Sequence, residues 1–258
     1  MTGSLWKPVS GCGPECRMGG DDRVGAGRAV LRLVALSGVL MLGLIVIPLL
    51  RGVAVRTVAR ALLASLGVRL SWRGPAPPPG SLLVANHVSW LDIVALLAVG
   101  PVRPVAKHEV RGWPGVGGLA GMTGAIFVDR TRPKSLVRTV DEVAAALRAG
   151  RSVAVFPEGT TYCGAARGRF RPAVFQAAVD SRAPVVPITI GYGTTAAAFV
   201  GEDTLWDSVR RVAALRGLTV TLIGAPALRP APDADRRTLA RAAQASVGLS
   251  PSALGLAA

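Results

Sequence analysis

The feature that most constrains the fold is an alternation of short apolar segments with amphipathic helical segments from residue 68 onward. Runs such as Leu82 to Ala85 and Ser152 to Phe156 are short and apolar, which is typical of buried strands. Between such runs, apolar residues recur at helical spacing, as in the segment from Val137 to Leu147 that precedes Gly150. The alternation predicts one α/β domain over residues 67–258, with a mostly parallel sheet flanked by helices on both faces.

An uncharged stretch precedes this domain. The 18 residues from Leu33 to Leu50 carry no charge and are bounded by Arg32 and Arg51. As a helix they would be about 27 Å long, close to the roughly 30 Å hydrocarbon core of a bilayer. A signal peptide and a buried core helix are the alternatives, but the run starts late and no small-residue cleavage site follows closely. We therefore predict a membrane-anchoring helix, whose orientation the flanking arginines do not fix.

Two further segments complete the predicted N-terminal region. Residues 1–28 are rich in Gly, Arg and Asp without periodicity, which predicts a disordered basic arm. After the anchor, Val55, Val58 and Leu62 share one helical face. That pattern fits a helix in the membrane interface or one packed on the catalytic domain. Residues 29–66 are thus predicted as a membrane helix followed by an amphipathic interfacial helix.

The net charge and the cysteine spacing indicate which classes of binding partner the chain can have. The net charge is +15, nearly all of it from arginine, and mean hydropathy is +0.44. A basic, apolar chain suits an anionic membrane surface, and no nucleic-acid-binding motif accompanies the charge, so we expect a membrane and no nucleic acid as partner. Cys12 and Cys16 have no matching Cys/His pair in the sequence and Cys163 stands alone, so the spacing predicts no metal site.

The first candidate for chemistry is the turn after the strand at residues 82–85. His87 lies where this strand passes into a predicted helix, and Asp92 falls in the first turn of that helix. If the turn folds the imidazole back, the carboxylate accepts one ring N–H and leaves the other nitrogen as a proton acceptor. Ser89 to Asp92 is also a capping box, in which Asp92 would only stabilise the helix start.

Two more strand ends carry polar residues. Asp129 and Arg130 follow one predicted strand, and Glu158, Gly159 and Thr160 follow another. In a parallel sheet such carboxyl ends gather along one edge, where ligands bind. Arg130 suits an anionic group, and Gly159 lets a backbone N–H approach a ligand closely. Taken singly, Arg130 could equally be a solvated charge and Glu158 an ordinary turn residue.

Together these segments resemble a known family. The run from Asn86 to Asp92 matches the H-x4-D motif of glycerolipid acyltransferases of the 1-acyl-glycerol-3-phosphate acyltransferase type. Phe127 to Arg130, Phe156 to Thr160 and Val185 to Ile188 are similar to the second, third and fourth motifs of that family, in the same order. The resemblance covers roughly residues 66 to 225. One departure is the segment from Phe170 to Ala173, where the family often has F-K-x-G.

The resemblance implies acyl transfer from acyl-CoA or an acyl-carrier protein to the hydroxyl of a lysolipid. His87 would remove the hydroxyl proton, Asp92 would hold the imidazole, and Arg130 with Glu158, Gly159 and Thr160 would bind the polar head of the acceptor. The sequence contains no G-x-S-x-G motif that would supply a serine nucleophile. The lysolipid hydroxyl would therefore attack the thioester directly, and this reaction needs neither a cofactor nor a metal.

The predicted acceptor is 1-acyl-glycerol-3-phosphate, giving phosphatidic acid, with lyso-ornithine lipid as the alternative. A more distant alternative is that the chain is an inactive, basic membrane-binding module. We expect the enzyme at the cell membrane, with its catalytic domain on the cytoplasmic face.

Overall fold

The computed structural model describes residues 8–17, 22–50, 52–129, 132–231 and 233–248, and only the backbone at residue 133. Within these residues the chain forms one seven-stranded sheet in the order β1-β7-β6-β2-β5-β3-β4. All neighbouring strands are parallel except β6 and β7, which are antiparallel. The strands are β1 (Arg69–Arg73), β2 (Leu82–Ala85), β3 (Val102–Lys107), β4 (Ile126–Val128), β5 (Ser152–Val155), β6 (Val185–Tyr192) and β7 (Thr219–Gly224).

Eight α-helices in the described residues surround this sheet. One face carries most of the N-terminal helices and α7, and the other carries α5, α6 and α8. The helices are α1 (Ala26–Leu50), α2 (Gly52–Ser65), α3 (Leu91–Val99), α4 (Val116–Met122), α5 (Pro133–Arg148), α6 (Phe175–Ser181), α7 (Leu205–Ala214) and α8 (Arg236–Ser246). The predicted α/β class, with a mostly parallel sheet flanked by helices, is confirmed.

The central strand shows why both faces must be covered. All four residues of β2 are buried, and alternate side chains enter different cores. Leu83 and Ala85 pack into the core under α1, α2, α3 and α7, whereas Leu82 and Val84 pack into the core under α5, α6 and α8. A strand buried on both faces is therefore continuously apolar instead of alternating.

Two helices lie where the sequence pattern did not predict them. The first is α4, in a glycine-rich segment that helix propensity disfavours. A Cβ at Gly117 would lie 2.2 Å from the Arg111 carbonyl oxygen, so close packing requires glycine there. The second is α7, where Thr204 caps the helix by accepting a hydrogen bond from the Asp207 N–H.

The first two helices form an antiparallel hairpin that packs on the domain. At Gly43 of α1, an added Cβ would lie 3.0 Å from Val58 of α2, so the two backbones approach closely. Near the start of α1, the buried Arg32 guanidinium donates to the carbonyl oxygens of Ala213 and Leu215, at 2.9 and 2.7 Å. One face of α1 thus belongs to the domain along much of its length.

The opposite face of α1 is apolar and exposed. By length and composition α1 could cross a membrane, and among the described residues it alone passes that criterion. Its packing on α2, α4 and α7 leaves only the outward side chains exposed. The exposed apolar side chains of α1 are Val30, Leu31, Val34, Met41, Leu42, Ile45, Leu49 and Leu50.

The described part of the N-terminal arm is ordered on the domain, which differs from the predicted disorder of residues 1–28. Cys12 is buried, and Arg17 forms an ion pair with Asp203. The Val24 N–H donates to the Ala214 carbonyl oxygen, and α1 begins at Ala26 rather than at residue 29. The arm is polar, but burial of Cys12 and Val24 and these specific bonds offset the entropy of ordering it.

Candidate active site

The turn after β2 is fixed by an amide side chain. Asn86 is buried, its Nδ2 donates to the Ile190 carbonyl oxygen at 2.9 Å, and its Oδ1 accepts from the Ile190 N–H at 2.7 Å. This pair of bonds ties the end of β2 to the neighbouring strand β6. His87 therefore starts from a rigid position at the carboxyl edge of the sheet.

The predicted pairing of His87 with Asp92 is present in the structure. Because α3 begins only at Leu91, His87 lies in the preceding turn, and its Nδ1 is 2.8 Å from Asp92 Oδ2. The same oxygen accepts from the Val88 and Ser89 N–H groups, at 2.6 and 2.9 Å. The bond from Ser89 is the capping-box interaction, so Asp92 fills both of the roles that the sequence left open. With Nδ1 donating to the carboxylate, Nε2 is the acceptor nitrogen.

Two aromatic residues, Tyr192 and Phe156, contact the dyad, and the sequence pattern predicted a role there for neither of them. The Tyr192 hydroxyl donates to Asp92 Oδ1 at 2.5 Å, so both carboxylate oxygens are engaged. Burial, together with the Asp92 charge, raises the pKa of Tyr192 well above 10, and the hydroxyl therefore stays a donor. Phe156 stacks on the imidazole with ring centroids 3.9 Å apart. Phe156 belongs to the third family motif, but its contact with His87 depends on the pairing of β5 with β2, and Tyr192 reaches Asp92 from the end of β6.

Glu158 lies in the site, where its carboxylate accepts hydrogen bonds from two backbone N–H groups, and its predicted contact with the acceptor head stays a prediction. The residue is only 3% exposed, and its two carboxylate oxygens accept from the His87 N–H at 2.7 Å and the Gly168 N–H at 2.9 Å. Burial raises its pKa from 4.5 to about 7, against the lowering effect of the two N–H donors. Glu158 thus holds the backbone of His87 in place.

Of the other predicted site residues, the structure describes Gly159 and Thr160 but not Arg130. Gly159 has a φ of +78°, and an added Cβ would lie 2.7 Å from Pro8 Cγ of the N-terminal arm. Thr160 lines the same cavity as His87. Arg130 lies outside the described residues, so its predicted contact with an anionic head group stays a prediction. Its neighbour Asp129 is described, and the Asp129 carbonyl oxygen accepts from the Ser135 hydroxyl.

An apolar cavity of about 290 Å³ adjoins the imidazole. His87, Phe156 and Thr160 line it together with side chains from the α1–α2 hairpin, α3 and α4. Along α1 it extends from Leu36 to Ile47, about 16 Å of helix. Its dimensions and lining suit a long apolar chain with one end at His87.

The candidate metal ligands lie beside this dyad and outside the cavity lining. Among the described residues, a single group of three or more potential ligands comes together, formed by Cys12, Cys16 and Cys163. Cys12 and Cys163 pack against Val88, the residue that follows His87. The dyad itself offers proton transfer rather than metal binding.

Comparisons with known proteins show which family the chain resembles. Residues 72–191 match the family described as Acyltransferase. The chain is 38% identical over 144 residues to 1-acyl-sn-glycerol-3-phosphate acyltransferase of Neisseria meningitidis serogroup B, which covers 55% of this chain and 56% of that protein. It therefore spans little more than half the length of that relative. It is 36% identical over 196 residues to lyso-ornithine lipid O-acyltransferase of Pseudomonas aeruginosa, covering 73% of this chain and 74% of that protein.

A solved structure resembles the fold. The crystal structure of the 1-acyl-sn-glycerophosphate acyltransferase PlsC from Thermotoga maritima superposes with a TM-score of 0.58. The match covers 84% of this chain and 94% of that one at 21% identity. The similarity concerns the course of the backbone and supports the mostly parallel α/β architecture.

Proposed function

Because the chain belongs to the acyltransferase family, we propose that it transfers an acyl group from a thioester donor to the hydroxyl of a lysolipid. One observation carries the proposal: the 2.8 Å contact between His87 Nδ1 and the fully buried Asp92 stands beside a long apolar cavity. A general base next to a cavity of that shape suits deprotonation of an alcohol beside an acyl chain.

The proposed reaction is direct attack. His87 Nε2 accepts the hydroxyl proton as the hydroxyl oxygen attacks the thioester carbonyl carbon, and Asp92 stabilises the imidazolium that forms. The tetrahedral intermediate then collapses, the carbon–sulfur bond breaks, and the thiolate leaves and takes up the proton from His87. General-base catalysis of this kind typically contributes about 10²–10⁴-fold.

The surrounding residues support this geometry before substrate binds. Glu158 holds the His87 N–H, Phe156 stacks on the ring, and Tyr192 holds the second oxygen of Asp92. The imidazole therefore needs little reorganisation, and such preorganisation lowers the barrier to proton transfer.

The apolar cavity suits the acyl chain of the donor, which would be acyl-CoA or acyl-carrier protein. Its lining from α1, α2, α3 and α4 is almost wholly apolar and burial of methylene groups there is favourable, about 0.8 kcal/mol for each. Exposed Lys107, which also lines the cavity, is a candidate contact for the donor's phosphates.

For the acceptor we propose 1-acyl-glycerol-3-phosphate, with Arg130 binding its phosphate. Lyso-ornithine lipid is the second candidate, and the longer alignment with the Pseudomonas relative favours it. An arginine fork can bind either a phosphate or a carboxylate with two parallel hydrogen bonds.

We also place the enzyme at the cytoplasmic face of the cell membrane. The exposed apolar face of α1 would enter the lipid, and the net charge of +15 would attract an anionic surface. Both proposed donors are cytoplasmic molecules, so the active site has to face that compartment.

An acceptor panel tests the proposed substrate. Purified full-length protein is given a labelled acyl donor with either lysophosphatidate or lyso-ornithine lipid, and kcat/KM is measured. We expect the higher value with lysophosphatidate. Arg130→Lys should lower it about tenfold or more, since one charge-assisted hydrogen bond is worth roughly 1.5–3 kcal/mol. Arg130→Ala should lower it further.

Arg132→Ala is the matched control, because the Arg132 side chain is 82% exposed and pairs only with nearby Asp129 among the described ion pairs. It should leave kcat/KM unchanged. A higher kcat/KM with lyso-ornithine lipid would show that this lipid, and not lysophosphatidate, is the preferred acceptor. Unchanged activity of both Arg130 variants would remove Arg130 from the head-group site.

A further inference from the structure

The three cysteines of the chain come together in space. Cys12 and Cys16 lie in the N-terminal arm, and Cys163 lies 151 positions beyond Cys12, after the Glu158 turn. Their sulfur atoms all lie within 4.8 Å of one another. The spacing of the cysteines in the sequence does not predict this arrangement, because the third thiol comes from a distant segment that the fold places beside the arm.

The surroundings of these sulfurs suit bound thiolates. Cys12 and Cys163 are buried, while Cys16 is partly accessible and leaves a route for an ion. The Cys163 N–H points at Cys12 Sγ at 3.4 Å, and the Ala166 N–H points at Cys163 Sγ at 3.5 Å. Backbone N–H groups directed at sulfur stabilise its negative charge, as in the outer shell of metal sites.

We propose that Cys12, Cys16 and Cys163 bind one zinc ion. Zinc prefers tetrahedral thiolate ligands at about 2.3 Å, which places neighbouring sulfurs about 3.8 Å apart, so small adjustments of the three side chains suffice. Each thiol releases its proton as its sulfur binds the ion, and no redox change is involved. Water would fill the fourth position, or Glu15 after a side-chain movement, since its Oε1 lies 4.0 Å from Cys16 Sγ and accepts from the Gly13 N–H.

The ion would fasten the N-terminal arm to the active-site loop. Cys163 follows Tyr162, whose N–H donates to the His87 carbonyl oxygen at 2.8 Å. In the arm, Arg17 pairs with Asp203, and Pro8 packs against Gly159. The zinc therefore has a structural role: it cross-links two segments that border the dyad, without contributing a group to the proposed acyl transfer.

Metal analysis tests the site independently of activity. Tag-free, full-length protein is purified in detergent with reductant, and its zinc content is measured. We expect about one zinc per chain, and Co²⁺ in place of zinc should give thiolate-to-metal charge-transfer absorption. Cys16→Ser, the change at the most accessible ligand, should weaken zinc affinity at least about a hundredfold, since even loss of a group that only hydrogen-bonds to a metal ligand costs about 10–100-fold. Arg17→Ala, in the same arm, should still bind one zinc at saturation.

A second measurement uses the wild-type protein, so that it does not depend on the folding of a variant. Removing zinc with a chelator should speed tryptic cleavage after Arg17, and adding zinc back should slow it again. Free zinc at about 100 times its dissociation constant should lower the fraction of molecules with an open arm about 100-fold. The proposal is overturned if reduced protein with three titratable thiols takes up no zinc. It is also overturned if Cys16→Ser binds zinc as tightly as wild type, or if a Cys12–Cys163 disulfide persists in reductant.

Discussion

At the residue scale, the Glu158 carboxylate combines deep burial with two backbone N–H donors. Burial favours the protonated form, whereas the His87 and Gly168 N–H groups favour the charged form, and the balance puts the pKa at about 7. A glutamate in the unfolded chain titrates near 4.5. The folded protein therefore binds more protons than the unfolded chain between these two values.

This difference predicts how stability depends on pH. The contribution of Glu158 is fully present below about pH 4.5 and is lost as pH rises through about 7, a change of about 3 kcal/mol. Glu158→Gln should remove this slope, which unfolding of both proteins in detergent between pH 5 and 8 would measure. Glu142→Gln, at a partly exposed glutamate on α5, should keep it. Equal pH dependence of wild type and Glu158→Gln would contradict the assignment.

At the element scale, α1 presents two faces in different surroundings. One packs on α2, α4 and α7, and it includes the buried Arg32 and Leu36 and part of the cavity lining. The other face is apolar and exposed. Removing residues 1 to 50 would therefore damage the domain as well as the proposed contact with the membrane, so single substitutions on the outward face separate the two effects better.

Ile45→Glu provides that separation. Ile45 is 63% exposed on α1, and a charge within the bilayer costs about 2.5–3.5 kcal/mol, so binding to anionic liposomes should weaken about a hundredfold. Val137→Glu is the matched control, since Val137 is 66% exposed on α5, across the sheet from α1. Cosedimentation with liposomes measures both. Undiminished binding of the Ile45 variant would show that this face of α1 does not enter lipid.

At the scale of the whole molecule, the sequence predicted what depends on local patterns and missed what depends on the fold. The strands, the mostly parallel sheet and the pairing of His87 with Asp92 follow from periodicity and from a motif within one turn. Tyr192, the stacking of Phe156 on His87 and the cysteine cluster could not be predicted this way, because distant segments meet only after the sheet forms. The role of Glu158 depends on which way its carboxylate points, and no residue pattern determines that.

The central claim is that His87 is the base of an acyl transfer, and replacing it is the most direct test. Turnover of a labelled acyl donor with lysolipid is measured for wild type, His87→Ala and His108→Ala, with circular dichroism and liposome binding as checks on folding. We expect His87→Ala to lower kcat/KM at least about a hundredfold with folding intact, and the exposed His108 to be dispensable. Near-normal turnover by folded His87→Ala protein would contradict the mechanism.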